Sequence, residues 1–90
     1  MAVTVKLPTQ LRAAAGGKAS AEVEASTVGE ALQALFAEHA ELRDRLMQDG
    51  ELRRFVNVYL DDEDVRTLDG LATPVPEGGQ LTILPAVAGG

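Results

Sequence analysis

The side chains able to do chemistry are few and scattered in this sequence. His39 is the single histidine and cysteine is absent, which excludes thiolate nucleophiles, disulfides, thiolate zinc sites and iron–sulfur clusters together. No serine stands beside His39 in a recognisable motif, and a lone histidine makes a poor catalytic centre. Near a helix end its simplest use is to cap carbonyls. The run Asp61-Asp62-Glu63-Asp64 offers carboxylates to a hard cation, but it lacks the spaced oxygens and the glycine of a calcium loop. It reads as a solvated turn. "GGKAS", starting at Gly16, superficially looks like a phosphate loop, yet Arg12 stands where the first glycine is needed and Ala19 replaces the magnesium-binding hydroxyl. Arg53-Arg54 beside Asp49 and Glu51 reads as a mixed surface patch. No constellation of side chains supports an enzyme.

What remains is the end of the chain, "LTILPAVAGG", in which no side chain is charged. Three Gly-Gly pairs occur. Gly16-Gly17 and Gly78-Gly79 fall between apolar segments, where glycine supplies the positive φ of turns. Gly89-Gly90 has no following element to turn into. Residues Pro85 to Gly90 reach ~20 Å when fully extended. Two residues without Cβ let such an end thread a narrow channel in another protein, and the terminal carboxylate is ionised at neutral pH. Delivered in this way, it can attack the α-phosphate of ATP and become an acyl-adenylate. The chain itself then needs reach, slimness and a free carboxyl group, and no catalytic residue. Gly90 is the expected reacting residue, and Pro85, Ala86, Val87, Ala88 and Gly89 are the expected threading segment.

The rest of the chain must hold that end in place. "VTVKLP" sets Val3, Val5 and Leu7 on one face and Thr4 and Lys6 on the other, the period of a half-buried strand. "ASAEVEAS" reads as a second strand ending near Ala25, with a long loop from Thr9 to Gly17 between the two. Thr27 and Glu30 form a capping box. Val28, Ala31, Leu32, Leu35 and Phe36 then recur with helical spacing, predicting a helix to about His39. "ELRDRLMQDG" predicts a further helical turn or two ending at Asp49-Gly50, with Glu41 and Arg45 spaced as an i,i+4 pair. Phe55 to Leu60 reads as a central strand, with Val56, Val58 and Leu60 on one face. "DDEDVRTLDG" reads as a polar turn with one short strand around Val65, and "LATPVPEGG" as loop. "QLTILP" is the last strand, ended by Pro85.

Two strands, a helix, then two or three strands predict an α+β fold. It is a β-grasp, ubiquitin-like roll in which one main helix covers a mixed sheet of four to five strands. The first and last strands of that roll lie side by side at its centre. Residues 1–84 form the domain and 85–90 a flexible tail. Val3, Val5, Leu7, Leu32, Leu35, Phe36, Val56, Val58, Leu81 and Ile83 are the expected core.

Size and charge narrow the function further. Ninety residues make one domain with a single core, too small for a deep, self-contained active site as well. The apolar fraction of 46% suits a globular fold and not a disordered chain. Fourteen acidic residues against eight basic give a charge of −6, which repels nucleic acid and anionic membranes and favours a partner with a basic surface. No apolar run approaches the ~20 residues of a membrane span, and "MAVTVKLPTQ" lacks the blocks of a signal peptide. A cytoplasmic protein, monomeric when free, is expected.

The "LPAVAGG" ending after a glycine turn and a strand resembles the ThiS/MoaD family of ubiquitin-like sulfur carriers. "VTVKLPTQLR", "RFVNVYLDDEDVR" and "LATPVPEGGQLTILPAVAGG" look like its cysteine-biosynthesis branch, known as CysO. One departure is "EGGQ", Glu77 to Gln80, where many members carry a Gly-Asp pair. The resemblance implies a co-substrate with no bound cofactor. A ubiquitin-activating-type enzyme, using ATP and magnesium, would adenylate Gly90, and a sulfur donor would convert it to a thiocarboxylate. In this branch the acceptor would be an activated serine on a pyridoxal-phosphate-dependent cysteine synthase, and a zinc-dependent peptidase would release the product. Thiamin, molybdopterin or a sulfur-containing secondary metabolite stay open as destinations. So do two other readings, a covalent protein modifier and a β-grasp interaction module with an incidental tail.

Overall fold

A computed structural model describes residues 2–53 and 56–85. Strand β1 (Ala2–Lys6) pairs antiparallel with β2 (Ser20–Glu24), Val3 facing Val23. The connection between them is more ordered than the loop that composition suggests. Pro8 opens a short helix α1 (Thr9–Arg12), a 3-10 turn follows over Ala13–Ala15, and Leu11 and Ala15 are buried. Proline pre-sets the φ of a helix start and alanine continues it at little entropic cost. A segment this short carries too few apolar residues to show a period. Gly16 and Gly17 then adopt positive φ, +69° and +86°, as their turn requires.

Helix α2 (Val28–Glu38) begins at the capping box. The Thr27 hydroxyl accepts from the Glu30 N–H at 3.2 Å, while the Glu30 carboxylate reaches past Thr27 to accept from the Ser26 N–H at 2.8 Å. Its apolar stripe, Val28, Ala31, Leu32, Leu35 and Phe36, is buried. The backbone N–H of His39 closes α2 on the carbonyl of Leu35 at 2.9 Å, and helix α3 (Ala40–Leu46) starts directly after it. The imidazole makes no capping hydrogen bond to α3. The Glu41–Arg45 pair forms at 3.0 Å on the exposed side.

The helical reading of "ELRDRLMQDG" holds only to Leu46. Strands β3 (Met47–Gln48) and β4 (Glu51–Leu52) then form a separate hairpin, in which Asp49 (φ 55°) and Gly50 (φ 83°) are the two turn residues. Aspartate followed by glycine is a strong signal for a two-residue turn with both φ positive. The Arg53 guanidinium donates to the carbonyl of Asp44, and its backbone N–H donates to that of Leu46 at 2.8 Å. These contacts satisfy carbonyls left over at the end of α3. Arg53 thus joins backbone to backbone, a role the surface-patch reading did not foresee. Arg54 and Phe55 lie outside the described residues.

Strand β5 (Val56–Leu60) pairs with the short β6 (Glu63–Asp64) through a tight turn at Asp61 and Asp62. Val65, expected in a strand, opens a 3-10 turn and is buried. The next stretch, expected as loop, contains a 3-10 turn at Gly70–Ala72 and lies against the start of α2. There the Val28 N–H donates to the carbonyl of Thr73 and the Val75 N–H to that of Ser26. The last strand, β7 (Gln80–Pro85), lies between β1 and β5, giving the order β2-β1-β7-β5-β6. β7 runs parallel to β1 and antiparallel to β5. This is the β-grasp roll, with α2 across one face of a five-stranded mixed sheet and two shorter helices beside the expected main one. Every residue expected in the core is buried, from Val3 through Ile83.

Candidate functional site

The site expected from the sequence is the exit of β7, and the topology explains how that exit is held. β7 is a central strand, so hydrogen-bond ladders on both sides fix its start. Its parallel pairing with β1 covers Thr4↔Gln80, Val5↔Leu81 and Lys6↔Thr82. β1 stops at Lys6, while the pairing with β5 continues through Ile83, Leu84 and Pro85, the last opposite Val56. Among the described residues, β7 therefore outruns its parallel neighbour by three positions and leaves the sheet along β5 alone. Pro85, expected both to end the strand and to begin the tail, pairs with Val56 and is the last described residue of β7. Ala86, Val87, Ala88, Gly89 and Gly90 lie outside the described residues.

The glycine turn before β7 is held by backbone contacts. The Gly78 N–H donates to the carbonyl of Ala2 at 3.0 Å, and the Thr4 N–H to that of Gly79 at 3.1 Å. Gly78 has positive φ, as expected for a turn, but Gly79 is present for a different reason. A Cβ there would lie 2.7 Å from Val75 Cγ1 and 2.8 Å from the carbonyl oxygen of Pro76. Close approach, and not backbone handedness, demands glycine at that position.

The two faces of β7 differ. Leu81 and Ile83 point under α2 and are fully buried. Thr82 and Leu84 face the other way, and Leu84 is 46% exposed. With Tyr59 of β5 and the turn residues Asp61 and Asp62 they line a shallow depression of about 320 Å³. Asp61 takes positive φ (56°), which aspartate tolerates better than most residues, and its N–H donates to the carbonyl of Gln80 at 2.9 Å. The acidic turn is thereby tied to the start of β7. Sequence reasoning passed over this patch. The alternation of "QLTIL" and "VNVYL" does place Thr82, Leu84 and Tyr59 on outward faces, but only the strand order makes them neighbours.

The other candidates do not assemble into a site. Among the described residues no group of three or more His, Asp or Glu side chains converges to hold a metal ion. In the acidic run, Asp64 accepts from the Arg66 N–H at 2.9 Å, while Arg66 reaches Asn57 Oδ1 and the carbonyl of Arg53. Those contacts brace the β5–β6 corner. No described helix is long and apolar enough to cross a membrane.

Comparisons with known proteins agree with this geometry. The ThiS family model matches residues 5–90, a span that includes the strand, its exit and the Gly-Gly end. The sulfur carrier protein CysO of Mycobacterium tuberculosis is 47% identical over 93 aligned positions, covering all of both chains. In the crystal structure of the Amycolatopsis orientalis BexX/CysO complex, a 49% identical chain superposes with a TM-score of 0.92, covering 98% of this chain and 99% of that one. Small archaeal modifier protein 3 of Haloferax volcanii is 43% identical over 65 residues, 72% of this chain and 71% of its own.

Proposed function

The chain belongs to the ThiS family, and from that membership we propose that it carries sulfur on its own C-terminal carboxylate, at Gly90. The observation that supports this most directly is the exit of β7. A central strand outruns its parallel neighbour and leaves the sheet along β5 alone, while the family match extends to Gly90. A carrier must present its end to another protein's active site, and a strand whose start is held on both sides lets it do so without spending partner binding energy on ordering the domain.

In the proposed sequence a carboxylate oxygen of Gly90 attacks the α-phosphorus of ATP on a ubiquitin-activating-type enzyme, and pyrophosphate leaves. A sulfur donor then attacks the acyl-adenylate carbon, AMP departs, and a thiocarboxylate remains. ATP, magnesium and any zinc or pyridoxal phosphate belong to partner enzymes. The identity to CysO proteins favours cysteine as the destination: the thiocarboxylate sulfur would take the place of the leaving group on an activated serine at a synthase, the resulting thioester would rearrange from sulfur to the amine as an amide, and a peptidase, adding water, would free cysteine and restore the Gly90 carboxylate. Pro85 would stay in the sheet during these steps, with Ala86, Val87, Ala88 and Gly89 lining the partner's channel. Dependence on ATP fits a cytoplasmic setting.

The test is intact-mass spectrometry of the full chain with ATP, magnesium, a ubiquitin-activating-type enzyme of the same organism and a sulfur source. The mass should rise by the difference between sulfur and oxygen, and fragmentation should place the change on Gly90. One residue appended after Gly90 should abolish thiocarboxylate formation at Gly90 unless a peptidase trims it, because the Gly90 carbonyl is then a peptide amide and the free carboxylate lies one residue further along. Absence of any thiocarboxylate would overturn the reading. The similarity to small archaeal modifier protein 3 supports a second reading, isopeptide transfer of the same activated glycine to a lysine. Higher-mass conjugates on immunoblots of cells would distinguish it.

A further inference from the structure

The end of β7 is held on one side only. Beyond Thr82 the strand loses β1, and among the described residues its last positions pair with β5 alone. The Asp61 N–H donates to the carbonyl of Gln80. In an antiparallel ladder, residue pairs that exchange hydrogen bonds alternate with pairs that do not. The bonded pairs that follow Asp61 and Gln80 are therefore Tyr59–Thr82 and Asn57–Leu84. Pro85, opposite Val56, falls on a pair without such bonds and has no N–H to offer. Asn57–Leu84 is thus the last rung of the ladder before residues 86–90.

One side chain grips that rung. The Arg66 guanidinium donates from Nη1 to Asn57 Oδ1 at 3.1 Å and from Nη2 to the carbonyl of Arg53 at 2.8 Å. The same carbonyl accepts from the Val56 N–H at 2.9 Å, so Arg66 ties the approach to β5 to a side chain within it. Arg66 is itself placed by a 3-10 turn whose first residue, Val65, is fully buried, and by its own N–H, which donates to Asp64 Oδ1. Resting on the carrier reading above, we infer that Arg66 is a positioning residue for the tail: it holds β5 so that the Asn57–Leu84 rung stays closed and Gly90 is presented from a fixed strand end. Backbone hydrogen bonds exposed at the end of an element are the first to open. Where a partner accepts only the closed form, apparent affinity falls with the closed fraction. Both guanidinium bonds lie at the surface, where a substitution changes the stability of the whole domain little. The planar fork spans two acceptors at once, which a lysine ammonium cannot do in the same geometry.

The experiment takes two readouts on the full chain. One is hydrogen exchange of the Leu84 N–H in the free protein, followed by NMR. The other is ATP–pyrophosphate exchange on a ubiquitin-activating-type enzyme of the same organism, against carrier concentration. Arg66→Ala should remove most of the protection of the Leu84 N–H. It should raise KM about three-fold with kcat little changed, the factor for a rung closed about a third of the time. Arg66→Lys keeps the charge without the fork and should behave like Arg66→Ala. Asn57→Asp keeps an acceptor for Arg66 and should restore the parental values. Adding Asn57→Ala to Arg66→Ala should do no further harm, since the two residues act as one unit. Arg45→Ala, which breaks an exposed ion pair on α3, is the control and should move neither readout. Should Arg66→Ala fail to fold, Asn57→Ala alone carries the same expectations. If Leu84 stays protected without Arg66, or loses protection while KM holds, the inference is overturned and the carrier reading stands. If KM rises in Arg66→Ala but not in Arg66→Lys, Arg66 acts through its charge on the partner and the positioning role is wrong. If the parent chain supports no ATP–pyrophosphate exchange, both readings fall.

Discussion

The two faces of the sheet carry similar residue types to different ends. Beneath α2, Val3, Val5, Val56, Val58, Leu81 and Ile83 are almost wholly removed from solvent. On the other side of the same strands, Thr82, Tyr59 and Leu84 stay partly or largely accessible, with acidic residues around them. Ile83 and Leu84 are adjacent in sequence, both large aliphatics, and one is sealed while the other is 46% exposed. The difference teaches that apolar character on β7 does not by itself report a contribution to folding. Toward α2 it stabilises the domain through burial, at about 25 cal/mol per Å². Away from α2 it stays largely in contact with solvent and contributes little to folding.

Three stability measurements would break or sharpen that division, each read from chemical denaturation of the purified chain. The largest effect should come from Leu35→Ala, beneath the sheet. It leaves a cavity at a fully buried position and should cost ~2–5 kcal/mol, a large share of what a domain this size possesses. A loss well under 1 kcal/mol would mean that α2 does not seal the core as described. Gly79→Ala should come next, costing about 1–3 kcal/mol, because the new methyl meets Val75 and the carbonyl of Pro76 at sub-contact distances. Unchanged stability there would show that the turn before β7 yields freely and does not position the strand. The smallest should be Leu84→Ala, within ~0.5 kcal/mol of the parent, although it removes the same atoms as Leu35→Ala. A cost matching that of Leu35→Ala would erase the contrast between the faces.

Much of this molecule was readable from local pattern. Alternation placed Val3, Val5, Leu81 and Ile83 on buried faces, helical spacing placed Leu32, Leu35 and Phe36, and the capping box marked the start of α2. These signals are local because they depend on the period of one element and on hydrogen bonds between residues close in sequence. The resemblance carried by the Gly-Gly ending pointed to the family that residues 5–90 match. Where reading failed, weak or competing local signals were decided by contacts with distant residues. α1 persists because Leu11 and Ala15 find the core, and α3 stops at Leu46 where Arg53 takes its last carbonyls.

By itself the sequence determined the strand faces, the main helix, the acidic charge and the run of uncharged side chains from Leu81 to Gly90. The adjacency of β1 and β7 at the centre was expected from the order of elements; the tertiary structure alone decided that β5 is the other neighbour of β7 and that β7 outruns β1, that Gly79 sits against Val75, and that Tyr59, Leu84 and the Asp61–Asp62 turn share one patch. Strand order is the reason. Period-2 alternation states which way a side chain points, but which strand lies beside it is set by burial of the whole apolar set at once, and that is a property of no single segment.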